Sequence, residues 1–183
     1  AAENRLSVAD IHNFVMQANS AMNNPNMGMG RQFLTAAVAD TAVFENRTSF
    51  YQTTPAGWQN VWYAHPYSTA YYRYPLYSNT SPTSMHAMDK WDHIRMYENK
   101  KSMVYGYWMD IAVSGINMRP YDSQAAVDVD MKEYSLGYAP NNPNLMTRIM
   151  HSNSKCKMYV RKSEMNQMQI TRMDCHTNSS MPF

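Results

Sequence analysis

Apolar side chains near the start of the chain recur at helical spacing. Over residues 7–23 they return every three or four positions, which predicts an amphipathic helix. Ser7 is expected at the N-cap of this helix, with Asp10 completing a capping box, while Leu6 and Ile11 occupy the two hydrophobic staple positions. The apolar positions of the helix are Val8, Ile11, Val15, Ala18 and Met22.

The segments that follow predict a second helix, a strand and a third helix. The second helix is short, covers 31–39 after a loop at 27–30, and is expected to end at Asp40-Thr41. Residues 42–51 are rich in Phe, Val, Thr and Tyr, which predicts a strand. Ser81-Pro82 is expected to start the third helix, because proline is tolerated in a first helical turn. One face of this helix would carry Ala87, Met88, Trp91, Ile94 and Tyr97.

The rest of the chain alternates between apolar and polar residues, as strands do. Residues 105–113 follow such a pattern, and residues 127–131 follow it more strictly, which predicts a half-buried strand. A Pro- and Asn-rich turn is predicted over 138–144, followed by a β-hairpin over 148–178. In the stricter strand, Val127, Val129 and Met131 alternate with Asp128, Asp130 and Lys132.

The two cysteines fit a single register of that hairpin. If the turn centres between Met165 and Asn166, Cys156 lies opposite Cys175. The same register places Lys157 opposite Asp174, a favourable cross-strand charge pair, and Met158 opposite Met173. Directly opposed residues are close enough for a disulfide. We therefore predict a disulfide between Cys156 and Cys175, the alternative being two free buried thiols in a cytosolic protein.

The predicted disulfide bears on where the protein works. Disulfides persist in oxidising compartments, so we expect a periplasmic or extracellular location. The first residues, Ala1-Ala2-Glu3, resemble what a signal peptidase leaves after cleavage, which favours an exported protein whose signal peptide has been removed; the alternative is a longer chain trimmed at this point or a disordered start left out of the numbering.

Composition narrows the class of protein. A length of 183 residues with 44% hydrophobic residues predicts one folded domain over 1–183. The net charge of +2 is too small to favour a nucleic-acid partner. No apolar run approaches the ~20 residues that a membrane-spanning helix needs.

Residues 52–80 form a long excursion without a steady period, interrupted by three prolines. The excursion is rich in the residue types that dominate interface hot spots, and its prolines would reduce the entropy lost on binding. We therefore predict a partner-binding or self-association surface over residues 58–77; the alternative is that these rings pack back onto the fold. The predicted partner-binding residues are Trp58, Trp62, Tyr63, Tyr67, Tyr71, Tyr72, Tyr74 and Tyr77.

The order of elements resembles one known superfamily. Residues 33–44, which read FLTAAVADTAVF, resemble the short second helix and first strand of the nuclear transport factor 2-like superfamily. Residues 91–99, which read WDHIRMYEN, resemble its third helix. The resemblance implies an α+β fold, with three helices packed on a strongly curved, mainly antiparallel sheet. The excursion at 52–80 is longer than is usual in the superfamily and departs from its pattern.

The superfamily contains isomerases, dehydratases, ligand binders and structural modules of secretion machines, so its fold does not select a function. We expect a non-enzymatic, exported protein-interaction module, a structural component of an envelope-spanning secretion assembly. Its partners would be other proteins of that assembly, or further copies of this chain. The alternative is a small-molecule binder or an isomerase- or dehydratase-like enzyme that uses the pocket of the cone.

Candidate catalytic residues are few in this sequence. The resemblance would place an Asp or His base inside the cone, for which Asp40, His93 and Asp110 are the candidates, with Tyr51 as a hydrogen-bond donor. Asp40 is more simply explained as a helix-ending residue, and Asp110 and His93 as surface residues. No catalytic residue, metal site or cofactor is therefore predicted.

Overall fold

The structure is a computed structural model that describes residues 5–52, 61–64, 71–74, 84–103, 105–118, 123–139 and 142–181. Three helices and eight strands make up these ranges. The helices are α1 (Val8–Met22), α2 (Met27–Ala37) and α3 (Lys90–Met103). The strands are β1 (Val38–Gln52), β2 (Val61–Ala64), β3 (Tyr71–Tyr74), β4 (Ser84–Asp89), β5 (Gly106–Asn117), β6 (Gln124–Ala139), β7 (Asn142–Lys162) and β8 (Met168–Met181).

Helix α1 begins as the sequence predicts. Ser7 caps it, and the reciprocal hydrogen bonds between Ser7 and Asp10 form the capping box. Leu6 and Ile11 are buried. Burial of Asp10 opposes its charge, but hydrogen bonds from Ser7 and Lys162 outweigh this and hold the pKa of Asp10 below its ordinary value.

Helix α2 starts earlier than predicted, because residues 27–30 are helical rather than a loop. Asn26 is its N-cap and accepts a hydrogen bond from the backbone of Gly28. Gly30 permits a close approach of α3: a Cβ at this position would lie 2.1 Å from the hydroxyl oxygen of Tyr97. Gly30, one of the two glycines that suggested a loop, therefore serves helix packing. Helix α2 does not end at Asp40-Thr41 as predicted. It ends at Ala37, and β1 begins directly at Val38, so Asp40 and Thr41 lie within the strand.

The predicted start of the third helix is also wrong. Residues 84–89 form β4, which pairs antiparallel with β1. Helix α3 follows, and the carboxylate of Asp89 accepts a hydrogen bond from the backbone of Asp92 as an N-cap does. Met88 therefore lies in a strand, and Trp91 is exposed rather than part of an apolar helix face.

Six strands form one mixed sheet in the order β4-β1-β8-β7-β6-β5. The pair β1–β8 is parallel, and the other neighbours are antiparallel. The edge strand β5 is covered by α1, because Asn19 and Asn23 each pair their side-chain amide with its backbone. Asn19 pairs with Ile111, and Asn23 with Met109, through both N–H and C=O groups. These bonds satisfy backbone groups that an open edge would leave exposed.

The C-terminal hairpin confirms the predicted register. Cys156 lies opposite Cys175 and the two form a disulfide. Lys157 faces Asp174, and Met158 faces Met173. The register shifts by one residue between Tyr159 and Val160, so the turn differs from the prediction near its tip.

The predicted turn at 138–144 is shorter than expected, because β6 runs to Ala139 and β7 begins at Asn142. The excursion at 52–80 is not entirely irregular: β2 and β3 pair antiparallel as a separate two-stranded sheet. In the part of the chain that the structure describes, no helix is both long and apolar enough to cross a membrane.

Candidate functional site

The helix-covered face of the sheet, here called the inner face, carries apolar side chains along one part of its strands and polar side chains along another. On β6, every second residue from Ala125 to Ser135 is buried, which places them on one face. The apolar part of the inner face includes Val127, Val129, Met158, Val160 and Ile170. The polar part consists of Asn46, Glu133, Ser135, Ser152, Ser154 and Thr177, all of them buried.

Glu133 and Tyr107 form a buried pair within this polar part of the inner face. Glu133 is 3% exposed and Tyr107 is 7% exposed. The Tyr107 hydroxyl donates a hydrogen bond to Oε2 of Glu133. The two residues reach each other diagonally, because Met109 of β5 is directly opposite Glu133. Burying a carboxylate is costly unless it is paired, so such a group in a core is a candidate for function.

Hydroxyl groups extend this polar part across the sheet. Ser154 and Thr177 lie directly opposite each other, with their hydroxyl oxygens 2.7 Å apart. Thr177 donates to the side-chain oxygen of Asn46 over 2.9 Å. Ser152 lies opposite Glu133 on β7 and is also buried. Polar side chains thus run from β1 to β5, with the Glu133–Tyr107 pair at the β5 end.

A cleft of about 380 Å³ reaches Tyr107 from outside. It lies where the end of α3, the junction between α1 and α2, and the start of β5 meet. Its volume falls within the range of small-molecule sites. Its walls are formed by Asn23, Pro25, Met27, Lys101, Ser102, Tyr105, Gly106, Tyr107 and Trp108.

Tyr97 holds the helices around this site. Its ring packs edge-on against Tyr107, with centroids 6.4 Å apart, and its hydroxyl donates to the backbone oxygen of Met22. Burial, with a smaller effect of the charge on Glu98, raises the pKa of Tyr97 to about 12. Tyr97 therefore keeps its hydroxyl proton at neutral pH, and its ring packs against the ring of Tyr107.

The catalytic candidates weighed from the sequence lie elsewhere. The side chain of Asp40 is 85% exposed and forms an ion pair with Lys90. Asp110 is exposed on β5, opposite Lys132. His93 is half-buried rather than on the surface as predicted, because its ring stacks on the buried Phe44, with centroids 3.9 Å apart. Tyr51 belongs to β1, but its side chain lies outside the described part.

The structure describes the predicted partner-binding residues only in part. Trp62 and Tyr63 lie on β2, and Tyr71, Tyr72 and Tyr74 on β3, where Tyr63 is opposite Tyr72. Trp58, Tyr67 and Tyr77 lie outside the described residues. Their role at an interface remains a prediction. Among the described side chains, no cluster of three or more His, Cys, Asp and Glu residues is placed to hold a metal ion.

Glu133 went unnoticed in the sequence, although a signal was present. The alternation of Val127, Val129 and Met131 continues two residues further to Glu133. An acidic residue in phase with three apolar ones indicates a buried carboxylate, whereas Asp128 and Asp130 are out of phase. The partner Tyr107 is likewise in phase with apolar residues of β5. Its pairing with Glu133, however, depends on the register between β5 and β6.

Structural comparison identifies similar folds. A conserved protein from Planctomyces limnophilus has a TM-score of 0.56 at 11% identity, covering 91% of this chain and 92% of that one. A protein from Kribbella flavida has a TM-score of 0.56 at 5% identity, covering 92% and 88%. A candidate scytalone dehydratase from Novosphingobium aromaticivorans has a TM-score of 0.50 at 8% identity, covering 91% and 80%.

At the level of sequence, no protein-family model matches the chain, and neither does any curated protein. The structural matches, together with three helices on a six-stranded mixed sheet, confirm the predicted α+β fold, while the resemblance to the nuclear transport factor 2-like superfamily stays a prediction. At these identities the likeness concerns the fold alone, so function has to be inferred from the site.

Proposed function

We propose that this protein binds a small organic molecule inside the cone and transfers a proton to or from it through Glu133. The observation that supports this is the buried Glu133–Tyr107 pair on the inner face. An apolar side chain would fill the same space without the cost of burying a carboxylate. The resemblance to a candidate dehydratase in fold is compatible with such chemistry.

The two residues have complementary chemical roles. A carboxylate in a site shielded from water is an effective base toward an acidic C–H bond next to a carbonyl. The proton would move to Glu133, the electron pair of the C–H bond would form a carbon–carbon double bond, and the π pair of the carbonyl would move onto its oxygen. Tyr107 is a neutral O–H donor that can stabilise the resulting negative charge.

A nitrobenzisoxazole probe tests this proposal without knowledge of the natural substrate. When a base removes its ring proton, the C–H electron pair forms the nitrile, the N–O bond breaks, and a coloured cyanophenolate is released. We expect the protein to accelerate this reaction, and Glu133→Gln to reduce the rate by about 10²–10⁴-fold. Glu164→Gln, in the exposed hairpin turn, is the matched control. Equal rates for the parent and Glu133→Gln, with both folded, would show that Glu133 serves structure alone.

The second candidate is an exported protein-interaction module within an envelope-spanning assembly. It is favoured by the Cys156–Cys175 disulfide, which suits an oxidising compartment, and by the aromatic residues that β2 and β3 contribute. Replacing Tyr67, Tyr71 and Tyr74 with Ser would test it. Loss of native assembly at unchanged thermal stability supports an interface; loss of stability alone means that these rings belong to the core.

A further inference from the structure

One wall of the cleft at Tyr107 is an aromatic surface for which a glycine makes room. A Cβ at Gly106 would lie 2.8 Å from the Trp108 ring, so the ring occupies the space that any other residue would fill. Trp108 nevertheless remains 48% exposed, and the neighbouring Tyr105 is 78% exposed. An exposed aromatic ring leaves apolar surface in contact with water, and stacking a flat ligand on the ring would bury that surface.

The same cleft carries a cation. Lys101 lines it, and its ammonium donates to the backbone oxygen of Asn24 over 2.6 Å while lying 5.4 Å from the centre of the Tyr97 ring. An ammonium has three N–H donors, so this anchor leaves donors for a ligand. Among the described residues that line the cleft, no Asp or Glu offsets this charge. The cleft therefore combines stacking surface with attraction for an anion.

We infer that this cleft binds small aromatic carboxylates, whose ring stacks against Trp108 and whose carboxylate pairs with Lys101. Apolar surface from Pro25 and Met27 completes the walls. A sugar ring would need several polar side chains to match its hydroxyls, but both amide atoms of Asn23 already pair with the backbone of Met109. An aromatic acid needs only a flat apolar surface and a single cation.

This inference rests on the proposed function in one respect: it names the ligand class for the same site. Tyr107 forms the inner wall of the cleft and hydrogen-bonds Glu133. A bound aromatic acid would therefore lie next to the donor of the proposed proton-transfer pair. Binding itself depends on Trp108, Gly106 and Lys101, whereas the chemistry depends on Glu133, so the two ideas can fail separately.

Benzoate is the probe, and its binding is followed through the indole N–H signal of Trp108 by NMR and through calorimetry. We expect saturable binding that Lys101→Met weakens by about tenfold or more, the effect of losing one charge-assisted hydrogen bond. Trp108→Leu should weaken it comparably, whereas Trp91→Leu, a change at an exposed tryptophan of α3, should not. Gly106→Ala should weaken binding by displacing the Trp108 ring, with Gly115→Ala on the same strand as its control.

Two further ligands test whether the cleft needs both the ring and the carboxylate, and one variant tests whether binding is independent of Glu133. Benzyl alcohol and glucuronate should bind at least about tenfold more weakly than benzoate, because each lacks one of the two features. Equal binding of either ligand, or an affinity for benzoate unchanged in Trp108→Leu and Lys101→Met, would overturn the inference. Glu133→Gln should retain benzoate binding. Intact benzoate binding without Glu133-dependent proton transfer would leave this inference standing and remove only the proposed chemistry.

Discussion

The apolar and polar parts of the inner face share strands β6, β7 and β8, yet they contain different chemistry. On β7, Met158 and Ser154 lie on the same face four residues apart, and both are buried. Met158 packs in the hydrophobic core, whereas Ser154 bonds to Thr177. The difference shows that strand alternation decides which side chains are buried. It does not decide whether a buried side chain packs in the hydrophobic core or forms hydrogen bonds. We expect the apolar part to contribute most to the stability of the fold, and we propose that the Glu133–Tyr107 pair of the polar part serves function.

The largest effect should come from the apolar part. Met158→Ala is expected to lower the free energy of unfolding by about 2–5 kcal/mol, because it removes buried contacts and leaves a cavity. Ser154→Ala, on the same strand and face, should cost about 1 kcal/mol, the value of one hydrogen bond. Urea unfolding of both variants measures the contrast. Equal losses would mean that the two parts do not differ in their contribution to stability.

The disulfide lies between the two parts. Replacing Cys156 and Cys175 together with Ser should lower the free energy of unfolding by about 3 kcal/mol, because the unfolded chain gains freedom. The fold should persist, since the hairpin register is also held by Lys157–Asp174 and Met158–Met173. Mass spectrometry without reductant should find the two cysteines linked. Alkylation of both thiols in the native protein would contradict the argument for export.

A smaller effect is expected where the helices meet behind the site. Gly30→Ala places a methyl group against the hydroxyl of Tyr97 and should cost about 1–3 kcal/mol through overpacking. Gly28→Ala on the same helix is the control, because its Cβ would meet only the Asn26 side chain, at 3.1 Å. Thermal unfolding measures both. A loss at Gly28 as large as that at Gly30 would argue against a special fit at Tyr97.

The smallest effect concerns pH. An unfolded tyrosine ionises near pH 10, whereas folded Tyr97 keeps its proton until about pH 12. Its contribution to stability is therefore complete below pH 10 and is lost as the pH rises to about 12. Denaturant unfolding across this range should show a shallower decline in Tyr97→Phe than in the parent. The exposed Tyr105 provides the control: if Tyr105→Phe flattens the decline as much, the effect does not belong to Tyr97.

Local patterns in the sequence predicted more of the fold than of the site. The capping box at Ser7, the alternation on β6 and the hairpin register depend on neighbouring or directly opposed residues, and all three are confirmed. The start of α3 was wrong because Ser81-Pro82 and Asp89 are both acceptable N-terminal signals. Only the pairing of β4 with β1 decides between them.

The candidate site was missed for a related reason. Glu133 and Tyr107 are 26 residues apart, and their contact depends on the register between β5 and β6. The position of Glu133, in phase with the buried residues of β6, could have indicated that its carboxylate is buried. No local pattern indicates that its hydrogen-bond partner is Tyr107. The cleft likewise combines the end of α3, the junction of α1 and α2, and the start of β5, which only the packed structure brings together.

The central claim is that the Glu133–Tyr107 pair is present for function rather than stability. The most direct measurement is the free energy of unfolding of the double variant Tyr107→Phe/Glu133→Met, with Ser154→Ala/Thr177→Val as a control pair in the same polar part. Replacing both partners of a buried polar contact with apolar groups is nearly neutral or stabilising when the contact does not hold the fold. We predict that the double variant is at least as stable as the parent and has lost proton transfer to the nitrobenzisoxazole probe. A loss of more than about 2 kcal/mol would contradict the claim and make the pair a structural one.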